Sequence, residues 1–267
     1  MLYNLKEASV TVGNSTMDYA VFGYGSRPLV IIPGLSLRDV RGAGLGLAYT
    51  YRRFMRDFRI YVIYKKNDVP EGYSVKDIAD DTVAAMRSLG IDRADVYGVS
   101  LGGMVAQYIA VNYPEAVNRL ILGVTTSRQN ETLQRVVGGW ISSAERGEFD
   151  FIINEMLGEL YSESYARRYG WILPLLANYF RPKNMPRFIN LAKACFTCDI
   201  YDRLHLIKSP TLVLGGEKDL ILSGAASYEI AERIGCEIYM YPNLGHSAYD
   251  EAPDFNKRIF DFLTKKL

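Results

Sequence analysis

A serine flanked by glycines, Gly98-Val99-Ser100-Leu101-Gly102, is the strongest chemical signal in this sequence. It matches the pattern G-x-S-x-G, in which a sharp turn from a strand into a helix exposes the serine hydroxyl. Glycines are needed two residues before and two after the serine, because side chains there would clash. Ser100 is therefore the candidate nucleophile. The alternative is a plain glycine turn whose serine only caps the helix.

A serine hydroxyl is a poor nucleophile until a base takes its proton. The sequence contains two histidines, His205 and His246. His246 follows the last predicted strand in a short loop, and we predict that it is the base. His205 lies where a helical segment rejoins the strand-rich part of the chain. For His205 we predict a structural role with hydrogen bonds.

The base in turn needs an acidic group that orients its ring. We predict Asp219 for this role, because it comes directly after a buried strand in Gly215-Gly216-Glu217-Lys218-Asp219. Glu217 is the near alternative. Asp250 and Glu251 follow His246 too closely along the chain to orient it easily.

Backbone amides could stabilise the negative charge that develops on a carbonyl oxygen under attack. The N–H of Leu101 follows the candidate nucleophile directly and is one predicted donor. The N–H of Leu35, in the loop after a buried strand, is the other. Gly34 would allow the chain to turn closely at that point.

The elements that must position these residues alternate along the chain. Strand patterns cover residues 8–12, 17–22, 29–32, 59–64, 94–99, 117–124, 211–214 and 237–241, and core helices cover about 50–57, 75–89, the segment after Ser100, 225–234 and 254–266. This alternation predicts an α/β fold with a doubly wound, mostly parallel sheet. Ligands of such sheets bind beyond the carboxyl ends of the strands, where Gly34, Ser100 and Asp219 all fall.

The strand pattern stops between residues 126 and 203. Helical patterns replace it at 133–146, 149–160, 163–176 and 184–195, with many aromatic residues. We therefore predict a core made of residues 1–125 and 204–267, with a helical cap at 126–203 lying over the site. The alternative is a helical layer packed elsewhere on the sheet.

Composition narrows the class of protein further. The chain has 267 residues, 49% of them hydrophobic, and a net charge of +1, which predicts one sizeable core. Nothing in the charge suggests a nucleic-acid partner or attraction to a membrane. We expect no signal peptide, because the start of the chain lacks a basic region followed by a long apolar run, and no membrane insertion, because apolar runs stay below about 18 residues. An odd count of three cysteines favours the cytoplasm, and the sequence leaves a homodimer open.

The pattern of cysteines gives a weaker signal. Cys195 and Cys198 form a C-x-x-C pattern, but only Cys236 and the two histidines remain as further zinc ligands. We therefore expect packed thiols, no metal and no organic cofactor.

The glycine-rich loop at 42–46 lacks the Lys-Ser or Lys-Thr of a phosphate loop. We predict that it is a flexible loop at the mouth of a pocket. Arg38 and Arg41 near it could hold an acidic substrate group or could simply be solvated.

Three longer segments carry a family resemblance: GVSLGGMVAQYIAVNYPEAVNRLIL, PTLVLGGEKDLI and PNLGHSAYDEAPDFNKRIFDFL. They resemble the α/β-hydrolase superfamily, in its branch of small proteins with a helical cap. The resemblance implies a catalytic serine at Ser100, an acid at Asp219 and a base at His246, in the chain order typical of that family.

The chain departs from many members of that family at two places. Pro33-Gly34 stands where many have His-Gly, and Lys65-Lys66-Asn67-Asp68 replaces a run similar to Arg-Gly-His-Gly. The first change should spare the backbone donor but alter the floor of the pocket.

These observations predict a serine hydrolase, of the carboxylesterase type, acting on an ester, thioester or related acyl bond of a small, fairly apolar molecule. Peptidase, carbon–carbon hydrolase and perhydrolase chemistry would use the same three residues. A haloalkane dehalogenase is disfavoured, because it would carry aspartate at position 100. A non-catalytic binder or receptor on the same scaffold is the alternative from another class.

Overall fold

The structure, a computed structural model, describes residues 2–36, 41–169, 171 and 184–266. The strands among them are β1 (Lys6–Val12), β2 (Ser15–Phe22), β3 (Arg27–Ile32), β4 (Phe58–Lys66), β5 (Ala94–Val99), β6 (Val117–Gly123), β7 (Thr211–Gly216) and β8 (Glu237–Tyr241). They form a sheet in the order β1-β2-β4-β3-β5-β6-β7-β8. β2 runs antiparallel to β1 and β4, whereas the pairs from β4 through β8 are parallel. The predicted fold class is confirmed.

The helices of the described residues cover both faces of the sheet. They are α1 (Gly44–Thr50), α2 (Val75–Ser88), α3 (Leu101–Asn112), α4 (Glu131–Glu145), α5 (Phe149–Leu160), α6 (Glu163–Tyr169), α7 (Met185–Cys195), α8 (Gly224–Ile234), α9 (Ala248–Glu251) and α10 (Phe255–Thr264). Strand β3 shows the two layers clearly. Val30 and Ile32 pack with α2 and α3, whereas Leu29 and Ile31 pack with α10 on the opposite face. Both faces of a central strand are buried, which explains its continuous apolar run.

Helix α2 begins as its sequence predicts. The Ser74 hydroxyl accepts a hydrogen bond from the Asp77 amide (3.1 Å), and the Asp77 carboxylate accepts one from the Ser74 amide (2.9 Å). This reciprocal arrangement is a capping box with aspartate in place of the usual glutamate.

The helix predicted at about 50–57 was wrong. Helix α1 starts earlier, at Gly44, and only a 3-10 turn follows at Arg52–Phe54. The cause is a contact distant in sequence, since the carboxylate of Glu7 accepts the amides of Gly42 (3.0 Å) and Gly44 (2.7 Å). An acceptor at the first turn favours a helix start that the glycine-rich sequence alone does not suggest.

Helices α4 to α7 follow β6 and precede β7 along the chain. The bounds of α4, α5 and α7 agree with the predicted helices within two residues at each end, and α6 runs from Glu163 to Tyr169. The rest of the helix predicted at 163–176 lies partly outside the described residues. Among the described residues, no helix is long and apolar enough to cross a membrane.

Candidate active site

Ser100 occupies a strained turn between β5 and α3. Its backbone has φ 54° and ψ −121°, a conformation that residues with side chains rarely adopt. Hydrogen bonds on both sides hold it there. The Ser100 amide donates to the Gly123 carbonyl (2.9 Å), and the Ser100 carbonyl accepts from the Thr125 hydroxyl (2.7 Å). The neighbouring strand therefore fixes the turn that presents the hydroxyl.

Glycines flanking the turn are required by backbone contacts. A Cβ on Gly98 would lie 2.3 Å from the Gly102 carbonyl oxygen, and one on Gly102 would lie 1.9 Å from the Ile32 oxygen. Gly103, which the sequence pattern did not single out, is equally restricted, because its Cβ would lie 2.5 Å from the Thr125 Cβ. At Gly34 the restriction is milder, with 3.2 Å to the Ser100 Cβ.

We expect Gly102→Ala to destabilise the protein by about 3 kcal/mol, because the new methyl group meets backbone atoms that cannot rotate away. Thermal unfolding should show a melting temperature about 6–12 °C lower. Gly46→Ala is the matched control, since Gly46 lies in α1 with no atom within 4 Å of its Cβ position. It should leave the melting temperature unchanged or raise it. Equal melting curves for the two variants would contradict the steric argument.

The structure brings Ser100, His246 and Asp219 together beyond the carboxyl ends of β5, β7 and β8. His246 Nε2 lies 3.0 Å from Ser100 Oγ, and His246 Nδ1 lies 2.8 Å from Asp219 Oδ2. His246 is only 3% exposed and Asp219 only 7%. The three side chains thus form one continuous hydrogen-bonded chain, in which His246 and Asp219 are buried and Ser100 is half-buried beside them.

Hydrogen bonding decides which nitrogen of His246 carries the proton. Asp219 Oδ1 accepts the backbone amides of Ile221 (2.8 Å) and Leu222 (2.9 Å). Burial raises the pKa of Asp219, but the charge and hydrogen bond of His246 and these amides outweigh it and hold the pKa below its ordinary value. An ionised carboxylate only accepts, so Nδ1 must donate to it. The lone pair of Nε2 then faces the Ser100 hydroxyl.

The alternative acids lie elsewhere. Glu217 is exposed and accepts a hydrogen bond from the Tyr228 hydroxyl. Glu251 accepts from the amide (2.9 Å) and hydroxyl of Ser162, and so ties α9 to the start of α6. Asp250 lies 3.5 Å from the Tyr161 hydroxyl.

The role predicted for His205 was wrong in part. His205 lies away from Ser100 as expected, in the 3-10 turn Tyr201–Leu206, but its side chain is exposed. Within the described part of the chain its ring has no hydrogen-bond partner. Water can solvate the imidazole on this outer surface, so a protein partner is not needed.

Two backbone amides beside Ser100 are available to an oxyanion. Leu101 is the first residue of α3, where an amide has no acceptor within the helix. Among the described residues the amides of Leu101 and Leu35 both lack a hydrogen-bond acceptor. Leu35 and Gly34 line the same cavity as Ser100 and His246. The role of the two amides as oxyanion donors therefore stays a prediction.

This cavity is small and largely apolar, with a volume of about 80 Å³. Its floor is formed by the sheet edge, and its walls come from α4, α5 and α7 through Val137, Trp140, Met156 and Cys195. A larger groove of about 540 Å³ lies between β8 and α10, but it contains neither Ser100 nor His246. The smaller cavity is therefore the one that contains the candidate nucleophile.

A buried lysine lies beneath the loop that carries Leu35. Lys65, at the end of β4, is 4% exposed, and its Nζ donates to the carbonyls of Pro33 and Gly34, the latter at 2.7 Å. Burial lowers the pKa of Lys65 to about 7, and the nearby Arg187 adds to this effect. One signal for this residue is visible in the sequence, where a lysine directly extends an apolar strand.

The cysteines and loop arginines show no sign of a ligand. Cys195 and Cys198 are buried with their thiols near backbone carbonyls, and burial raises the pKa of both. No three metal-ligating side chains cluster among the described residues. Arg41 is exposed and bound to Asp18 (3.2 Å), while Arg38 lies outside the described residues. The Arg41 guanidinium is therefore already paired with a carboxylate of the protein, so it does not require an acidic substrate group as its partner.

The chain is similar to known proteins over most of its length. The sequence profile of the alpha/beta hydrolase fold matches residues 17–253. The chain belongs to the α/β-hydrolase fold family. Because that match runs from within β2 to beyond the end of α9, it covers every element that carries Ser100, Asp219 and His246.

Relatives of this α/β hydrolase carry different names. It is 28% identical to the provisionally named carbamate hydrolase RutD of Rhizobium rhizogenes, over 83% of this chain and 88% of that protein. It is 22% identical to 3-oxoadipate enol-lactonase 2 of Acinetobacter baylyi, over 94% of each chain. The crystal structure of the enol-lactonase from Burkholderia xenovorans superposes with a TM-score of 0.84 at 21% identity, covering 97% of this chain and 100% of that one. That structural likeness shows the fold alone.

Proposed function

We propose that this protein is a serine hydrolase that cleaves an ester or a related acyl bond of a small, fairly apolar molecule. One observation carries the proposal: Ser100 Oγ, the His246 ring and the Asp219 carboxylate are linked by contacts of 3.0 and 2.8 Å beside a cavity. A protein that only binds a ligand has no need of a base aligned on a strained, exposed serine.

In the proposed mechanism, His246 Nε2 takes the proton as Ser100 Oγ attacks the substrate carbonyl carbon. The amides of Leu101 and Leu35 donate to the oxygen that becomes negative. The protonated His246 gives its proton to the leaving group, and Asp219 stabilises the ring while it is charged. Water then attacks the acyl-enzyme with His246 again as base, and the acid product leaves.

The cavity sets the proposed substrate class. Its volume of about 80 Å³ leaves room for only a few water-sized groups, and most of its wall residues are apolar, which favours a short acyl group. The buried indole N–H of Trp140 has no acceptor within the described residues, so it remains for a polar group of the substrate. We propose that residues 126–203 act as a cap, because α4, α5 and α7 supply these walls.

Carbamate cleavage is the second candidate. The relation to RutD, at 28% identity over most of both chains, favours it. Attack on a carbamate uses the same nucleophile, base and oxyanion donors, and differs in the nitrogen or oxygen that leaves. An enol-lactone, in contrast, is a cyclic ester and falls within the first proposal.

Labelling with a fluorophosphonate tests the proposal directly, since these probes react with activated serines. We expect one adduct per chain, mapped by mass spectrometry to Ser100, and no adduct in His246→Ala. A panel of p-nitrophenyl esters of increasing acyl length and matched p-nitrophenyl carbamates would then separate the two candidates. A well-folded wild type that takes no label would refute the proposal and favour a binding protein.

A further inference from the structure

We infer that Lys65 is a positioning residue that holds the oxyanion-binding loop in its active orientation. The inference rests on the proposed function and deepens it. It concerns a residue that does not itself line the cavity, and it starts from the Lys65 contacts with the Pro33 and Gly34 carbonyls.

Peptide geometry links Lys65 to the second oxyanion donor. The Gly34 carbonyl and the Leu35 N–H belong to one planar peptide group, and in the trans form they point in opposite directions. Lys65 Nζ holds the Gly34 oxygen at 2.7 Å. The Leu35 N–H must therefore point away from Lys65. Gly34 and Leu35 line the cavity with Ser100, so the free face of this peptide is the one available to the reacting oxygen.

The peptide that carries the Leu101 N–H, the first proposed donor, is held differently. The Ser100 carbonyl, which shares a peptide with the Leu101 N–H, accepts from the Gly103 and Met104 amides (2.8 and 3.1 Å) and from the Thr125 hydroxyl (2.7 Å). Three donors therefore fix that peptide. Within the described residues, the Gly34 carbonyl accepts a hydrogen bond from Lys65 alone. The loop peptide thus depends on one side chain, whereas the helix peptide does not.

Backbone contacts hold Lys65 in place, and its amino group has no acidic partner among the described residues. Its own carbonyl and that of Lys66 accept hydrogen bonds from Arg187 of α7, at 3.0 and 2.8 Å. Within the described residues the Nζ contacts two carbonyl oxygens and no carboxylate. In its protonated form, Lys65 polarises the peptide whose carbonyl it contacts, so the Leu35 N–H becomes a stronger donor. Orientation and polarisation both stabilise charge in the transition state.

The test compares Lys65→Met with Lys66→Met. Methionine keeps much of the chain length but removes the donor. Lys66 is the neighbouring lysine, and its Nζ pairs with Asp81 (2.9 Å) away from the loop. Rates of p-nitrophenyl acetate hydrolysis are divided by the number of active sites, which the endpoint of fluorophosphonate labelling counts. For Lys65→Met we expect kcat per active site to fall about 10–100-fold with KM changed less than about 3-fold, because one oxyanion donor contributes about 10²–10³-fold.

A second readout separates positioning from simple stabilisation. A short trifluoromethyl ketone forms a tetrahedral adduct with the serine, and its affinity should fall in Lys65→Met in proportion to kcat/KM. Inhibition by acetate, the carboxylate product, should stay the same. Lys66→Met should match the wild type in both. Lys65→Gln, whose shorter side chain cannot span both carbonyls, gives the same readouts if methionine prevents folding.

The outcomes distinguish the two proposals. A wild type that neither labels nor hydrolyses the ester refutes the proposed function itself. A wild type that labels fully, beside a Lys65→Met protein with unchanged kcat per active site and unchanged ketone affinity, overturns the role of Lys65 alone. Loss of folded protein with a normal rate per remaining site would mean that Lys65 only stabilises the fold, and would overturn it as well.

Discussion

Ser100→Ala should lower kcat for a p-nitrophenyl ester by about 10⁶-fold, the loss seen when a serine nucleophile that works with a histidine is removed. Its Oγ lies 3.0 Å from His246 Nε2, and no other hydroxyl is placed at that nitrogen among the described residues. The backbone donors of Leu101 and Leu35 remain, so some catalysis above the rate in water should persist. Substrate affinity should change little, because the hydroxyl contributes mainly to the transition state.

Ser223→Ala is the matched control for this substitution. Like Ser100, Ser223 precedes a helix with a positive φ, 71° against 54°, but it is not among the residues of the cavity. Both variants should unfold at a temperature close to that of the wild type, and Ser223→Ala should keep its activity within about 2-fold. Ester hydrolysis by Ser100→Ala at more than about 1% of the wild-type rate, with the protein pure and folded, would contradict the assignment of the nucleophile.

The parts of the site that the sequence predicts are those governed by local sterics. Gly98 and Gly102 must lack side chains because the turn at Ser100 brings their Cβ positions within 2.3 Å and 1.9 Å of backbone oxygens. This demand falls on five consecutive residues, so it is visible as a pattern. The strand ends that carry Ser100, Asp219 and His246 are predictable for a related reason, since parallel strands end at a common edge.

The parts that the sequence does not predict depend on contacts between distant segments. Helix α1 starts early because Glu7 reaches the amides of Gly42 and Gly44, 35 and 37 residues away. The contact of Lys65 with the Gly34 carbonyl spans 31 residues, and that of Thr125 with the Ser100 carbonyl spans 25. A lysine or threonine at a strand end has no distinctive spacing, so only the folded chain reveals what it binds.

Asp219→Asn should lower kcat by about 10⁴-fold while leaving the fold intact, as found where a triad aspartate is replaced by its amide. The reason lies in the two backbone amides of Ile221 and Leu222, which donate to Asp219 Oδ1 at 2.8 and 2.9 Å. They require an oxygen at that position, so the NH₂ of an asparagine must turn toward His246 Nδ1. A donor facing Nδ1 forces the ring to carry its proton on Nε2. The base then presents an N–H to Ser100 and cannot take its proton.

Glu217→Gln provides the control for this change, because it makes the same neutralisation two residues away on an exposed side chain that contacts Tyr228. Its kcat should stay within about 2-fold of the wild type. The two melting temperatures should be similar, and fluorophosphonate labelling of Asp219→Asn should be slow but reach one adduct per chain. If Glu217→Gln instead lost activity while Asp219→Asn kept it, Glu217 would be the orienting acid. In Asp219→Asn, kcat and the labelling rate should both fall, since both require His246 to accept the Ser100 proton.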